Sequence, residues 1–141
     1  MAKILIVDDE GPIVTQLTSL LTAVGHLVSP ADSAARAMEI LESEGEFSLL
    51  ILDHHLGTGT KSGLQLLTEL RSSDRHRTLP VIVCSGDSQA AAVKSFLTLQ
   101  IAGFIVKPYL AGRFIAEIER VLVVNKARLA SRPDYARPAA A

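Results

Sequence analysis

The chain has no tryptophan, a single cysteine and only 4% aromatic residues among its 141 positions. One cysteine, Cys84, excludes a disulfide framework and a cysteine-built zinc site. A reducing cytoplasm is the expected compartment. No apolar run approaches the length of a membrane span. The opening, MAK followed directly by ILIV, lacks the charged n-region and long apolar h-region of a secretory signal. No membrane insertion is therefore expected. Charge of one sign is also scarce: 14 Lys and Arg stand against 15 Asp and Glu, for a net −1. The balance is uneven, because Lys126, Arg128, Arg132 and Arg137 face Asp134 alone after residue 124. The part before them is acidic, which argues against nucleic-acid binding.

What the chain does have is apolar residues, 48% of the total. That suits one compact domain with a sizeable core, expected over residues 1–124. Residues 125–141 read as a helix extension followed by a disordered Ala/Arg/Pro tail without periodicity. No output domain is expected after residue 124.

Short apolar runs alternate with helical patterns. ILIV (4–7), LLIL (49–52), VIVC (81–84) and FIV (104–106) are continuous and rich in Ile, Leu and Val, as in strands buried on both faces. HLVSPA (26–31) is a weaker signal and reads as an edge strand. Between these runs, helical spacing is predicted over 12–24, 33–44, 63–71, 88–99 and 110–124, with Pro12 opening the first helix and Gly25 stopping it. A βα unit repeated five times implies an α/β fold with a parallel sheet, right-handed crossovers and helices on both faces.

In an open parallel sheet the functional site lies beyond the carboxyl ends of the strands. Asp8, Asp9 and Glu10 follow the first run, Asp53 follows LLIL, Ser85 and Gly86 follow VIVC, and Lys107 and Pro108 follow FIV. Gathered at one edge, Asp8, Asp9 and Asp53 crowd three negative charges against one lysine. Like charges that close raise a carboxylate pKa unless a cation intervenes. Mg2+ suits an all-oxygen site and readily takes phosphate oxygens. A hard cation, a lysine and a hydroxyl around one carboxylate suit phosphoryl transfer, where catalysis is mostly positioning and charge neutralisation. The remaining candidate nucleophile is a carboxylate.

ILIVDDE, LLILDHHLG, LPVIVCSGD and AGFIVKPY, in that order and at strand ends, resemble the receiver domain of two-component response regulators, the CheY-like fold, over about residues 2–124. The resemblance implies a doubly wound (βα)5, flavodoxin-like three-layer sandwich with a five-stranded parallel sheet in the order 2-1-3-4-5. It implies a phospho-acceptor signalling domain rather than an enzyme, with Asp53 taking a phosphoryl group from a sensor histidine kinase. It implies a Mg2+ site made by Asp8, Asp9 and Asp53 with the backbone carbonyl of His55. Lys107 would pair first with Asp53 and then with the phosphoryl group, and Ser85 would hydrogen-bond a phosphoryl oxygen. Phe104 would be the aromatic switch, and Pro108 would follow a cis bond. Output would go through a downstream protein target, a phosphotransfer protein or a homodimer. The chain departs from the family in having Leu56-Gly57 after the acceptor strand and a glycine-rich loop over 57–63. His55 and Asp87 would flank the phosphoryl entrance and tune the lifetime of the phosphoryl group.

Other readings of the same residues stand beside this one. A degenerate receiver would act only as a binding module. An aspartate-nucleophile phosphohydrolase would want a second acid two residues past Asp53, where His55 stands. A flavodoxin-like nucleotide binder would need a phosphate-cradling loop after the first strand, where DDEGP is acidic. His54 reads as packing or facing solvent, Cys84 as a core thiol, and DRHR (74–77) as a solvated loop at the end opposite the acids. The VLVVN run of the last helix is either core or an interaction surface.

Overall fold

The computed structural model describes residues 2–54, 56, 61–86, 90–108 and 110–130. Five strands alternate with five helices: β1 (Lys3–Val7), α1 (Gly11–Ala23), β2 (Leu27–Ala31), α2 (Ala34–Ser43), β3 (Leu49–Asp53), α3 (Gly63–Ser72), β4 (Val81–Ser85), α4 (Ala90–Leu97), β5 (Gly103–Val106) and α5 (Ala111–Ala130). All pairings are parallel, and the strand order is β2-β1-β3-β4-β5. This is the parallel sheet expected from the alternation of elements, in the doubly wound order that the resemblance implied.

The alternation of side chains along each strand divides the core into two layers. Ile4, Ile6, Leu49, Ile51, Ile82 and Cys84 pack with Leu17 and Leu21 of α1 and with Phe114, Ile118 and Val121 of α5. Leu5, Val7, Leu50, Leu52, Val81 and Val83 pack on the other side with α2, α3 and Phe96 of α4. The central strands β3 and β4 are buried throughout, which explains their unbroken apolar runs. The edge strand β2 is half exposed, hence its mixed sequence LVSPA.

Local signals fix the helix ends. Ser33 Oγ accepts from the Arg36 N–H at the start of α2. Ser62 and Gln65 form a reciprocal capping box that sets the start of α3. Gly25, at φ +95°, turns the chain after α1. The helix α5 runs on through residue 124 to Ala130. Its VLVV run is split: Val121 is buried, whereas Val123 and Val124 are exposed. The DRHR turn is less open than expected, because His76 is buried and its carbonyl accepts from Arg71. Residues 131–141 lie outside the described residues, as do 57–60 of the glycine-rich loop.

Candidate functional site

The ladder carries each chain end one residue beyond its apolar run. Asp53 is the last residue of β3 and pairs with Cys84, and Ser85 is the last residue of β4 and pairs with Val106. Asp8 follows β1 and is tied to the neighbouring strand by its N–H, which donates to the Ala31 carbonyl at 3.0 Å. The Lys107 N–H donates to the Ser85 carbonyl at 2.7 Å. The peptide bond between Lys107 and Pro108 is cis. Sheet register alone therefore brings Asp8, Asp53, Ser85 and Lys107 to one edge.

At that edge Lys107 Nζ lies 3.1 Å from Asp53 Oδ1 and 3.5 Å from Asp8 Oδ2. Asp53 is 5% exposed and Asp8 4%, so one partly buried ammonium serves two buried carboxylates. Burial raises the Asp53 pKa and the charge of Asp8 raises it further, against the opposing pull of Lys107. Burial disfavours the charge on Lys107, but the hydrogen bond and charge of Asp53, with Asp8 behind it, outweigh burial and raise its pKa. The pocket holds more negative charge than its lysine neutralises.

Asp8, Asp9 and Glu10 each bring a carboxylate oxygen within 4.8 Å of the others, close enough to hold a metal ion. Glu10 was not in the expected ligand set; it joins because the chain turns sharply there, with the Glu10 N–H donating to Asp8 Oδ1 at 2.9 Å. An all-oxygen donor set beside a carboxylate whose charge is opposed by burial and by Asp8 fits a hard divalent cation. An open cleft of about 600 Å³ borders Asp8 and Asp9 and is lined further by Thr15, Asp32 and Arg36. His55 and Asp87, both expected at the phosphoryl entrance, lie outside the described residues.

Ser85 and the residue after Asp53 sit on the other face of the sheet. His54 Nδ1 is 3.0 Å from Ser85 Oγ. The His54 ring stands edge-on to Phe96 at 4.9 Å between centroids and 89° between planes, and Phe96 in turn meets Phe104 at 6.2 Å. Phe104 is half-buried against the same core layer. His54 thus packs, as one of its two expected roles, but its polar contact with Ser85 was not foreseen. Cys84 is a core thiol, with burial pushing its pKa up to about 12.

A doubly wound parallel sheet with its polar residues gathered at the carboxyl edge defines the class of open α/β domains whose sites lie at that edge. The family is shown directly: the model described as the response regulator receiver domain matches residues 4–119, and the chain belongs to that family. The chemotaxis protein CheY of Pseudomonas aeruginosa is 29% identical over 120 residues, covering 84% of this chain and 94% of the relative. The two-component response regulator ORR5 of rice, Oryza sativa, is 29% identical over 105 residues, 74% of this chain and 77% of the relative. Among solved structures, a CheY-like receiver protein from Methanospirillum hungatei superposes with a TM-score of 0.82 at 22% identity, over 91% of this chain and 98% of the other. NtrX from Brucella abortus superposes with a TM-score of 0.83 at 32% identity, over 90% of this chain but only 28% of NtrX. The chain is a response regulator receiver domain, and its family is a signalling module whose phosphorylating partners are histidine kinases. Among the described residues no helix is long and apolar enough to cross a membrane.

Proposed function

We propose that Asp53 accepts a phosphoryl group from the phosphohistidine of a sensor histidine kinase, and that the resulting acyl phosphate switches the domain between two protein-binding states. The observation that supports this most is the buried Asp53 carboxylate, held by Lys107 at 3.1 Å at the carboxyl edge of β3 with Asp8 beside it. In the transfer, an Asp53 oxygen forms a bond to phosphorus while the phosphorus–nitrogen bond of the donor breaks. The electron pair leaves on the imidazole nitrogen. The lysine orients the carboxylate beforehand and afterwards meets the phosphoryl oxygens as a charge-assisted donor. The Ser85 hydroxyl donates to a second phosphoryl oxygen, and Phe104 turns inward as Ser85 moves.

Asp8, Asp9 and Asp53, with the backbone carbonyl of His55, are the proposed Mg2+ site, and Glu10 lies close enough to join through water. When bound, Mg2+ supplies neutralisation of the phosphoryl charge. The domain is proposed to span residues 1–124, followed by the extension of α5 and the tail, and to work in the cytoplasm. It carries no turnover chemistry beyond its own phosphorylation and dephosphorylation. Its output is a contact with a downstream protein, a phosphotransfer protein or a second copy.

The test is reductive trapping. Protein treated with acetyl phosphate and Mg2+, then borohydride, should yield homoserine at position 53 on peptide mapping. Trapping at any other carboxylate, or none in wild type, would overturn the assignment.

A further inference from the structure

Ser85 has one hydroxyl proton, and a phosphoryl oxygen can only accept. In the structure that hydroxyl is already engaged, 3.0 Å from His54 Nδ1. With Nδ1 unprotonated, the Ser85 hydroxyl can donate to it; with Nδ1 protonated, the ring donates to the Ser85 oxygen. Both tautomers keep the hydroxyl on the α4 side of the sheet. Strand alternation explains why: His54 and Ser85 extend the parity of Leu52 and Val83 in the α2–α4 layer, whereas Asp53 and Asp8 extend the parity of Ile51 and Ile6 in the α1–α5 layer. The ring that holds Ser85 also stands edge-on against buried Phe96, which packs against Phe104. One side chain therefore touches both the hydroxyl and the aromatic pair on that face.

We propose that His54 is a positioning residue, a latch that holds Ser85 in the resting orientation and so biases the domain against its switched state. This rests on the reading of Asp53 as the acceptor. Because Asp53 stands on the opposite face of the sheet, Ser85 must leave its resting position against His54 to reach a phosphoryl group there, and the freed ring gives Phe104 room to turn. His54→Phe keeps an aromatic ring on Phe96 and removes Nδ1. Losing one hydrogen bond of ordinary net strength from the resting state alone should raise the switched population about threefold to tenfold.

The experiment measures the rate of labelling by acetyl phosphate and the affinity for beryllofluoride with Mg2+ in four proteins: wild type, His54→Phe, Ser85→Ala and the double variant. Both readouts should improve by about threefold to tenfold in His54→Phe. They should not respond to His54→Phe when Ser85 is already alanine. His54→Asn, whose amide can take the place of Nδ1, should restore wild-type values. His54→Leu serves if the Phe variant does not fold. An unchanged His54→Phe, or an effect that persists in the Ser85→Ala background, would overturn the latch and leave the acceptor assignment standing. Wild type that takes up neither phosphoryl nor beryllofluoride would overturn the acceptor assignment and the latch together.

Discussion

Gly63, the first residue of α3, packs tightly against the end of β3. A methyl group at this position would meet the Asp53 carbonyl oxygen at 2.5 Å, the His54 carbonyl oxygen at 3.1 Å and the His54 Cα at 3.4 Å. Real contacts of this kind essentially never fall below 3.0 Å, and all three neighbours are backbone. No side chain can swing aside. The helix cannot retreat either, because the Ser62–Gln65 capping box fixes its start one residue earlier. Gly63→Ala must therefore push the end of β3 away from α3, an overpacking cost of about 1–3 kcal/mol. In a domain of this size that is a fall in melting temperature of roughly 4–12 °C. Helix propensity argues the other way, since alanine is better than glycine by up to about 1 kcal/mol. The sign thus separates the two effects. Thermal unfolding followed by circular dichroism reads it, and labelling by acetyl phosphate should slow as well, because the atoms displaced belong to Asp53 and His54. A melting temperature equal to or above that of wild type would refute the close approach.

Three further outcomes follow from the same packing. Burial, aided by Arg75 and opposed by Glu42, holds the His76 pKa below its ordinary 6.5. The unfolded chain therefore binds a proton that the folded one rejects, so stability present above 6.5 is lost as pH falls through that value; His76→Gln should flatten the decline in urea unfolding between about pH 7 and 5, and an unchanged slope would refute it. Lys107→Ala leaves Asp8 and Asp53 without their shared ammonium and should cost about 1–3 kcal/mol at neutral pH; added Mg2+ should restore part of the loss, and a variant as stable as wild type without Mg2+ would contradict the pairing. Cys84 is 3% exposed with its thiol pushed up to about 12, so maleimide at about pH 8 should modify it only after denaturation, and modification at equal rates in native and unfolded protein would show the thiol to be accessible.

The strands were legible because β1, β3 and β4 are buried on both faces and so carry unbroken runs of Ile, Leu and Val. The polar residues closing those runs pointed to the site, since a carboxylate such as Asp53 directly after LLIL has no place in a core. The ends of the elements were less legible. β3 and β4 continue onto Asp53 and Ser85 because the ladder is a backbone property and ignores the change of side chain. The extension of α5 beyond 124 was expected but not its end at Ala130, because Lys126, Ala127, Arg128, Leu129 and Ala130 are all good helix formers and none of them marks a stop. Edge strand β2, half exposed and containing Pro30, was readable only from the order of its neighbours. The contact between His54 and Ser85 was not legible at all. It joins residues 31 apart, and depends on the register that pairs Asp53 with Cys84 and so sets the next residues side by side. Glu10's place among the acids depends likewise on a backbone turn at Asp8.

The central claim is that one buried carboxylate, Asp53, takes the phosphoryl group in a pocket completed by a divalent cation. Intact mass after incubation with acetyl phosphate tests it most directly, with wild type and Asp53→Asn compared in Mg2+ and in EDTA. The account predicts one added phosphoryl group in wild type with Mg2+ and none in the other three samples. Equal labelling of Asp53→Asn, or no labelling of wild type under conditions that label another receiver domain, would contradict it.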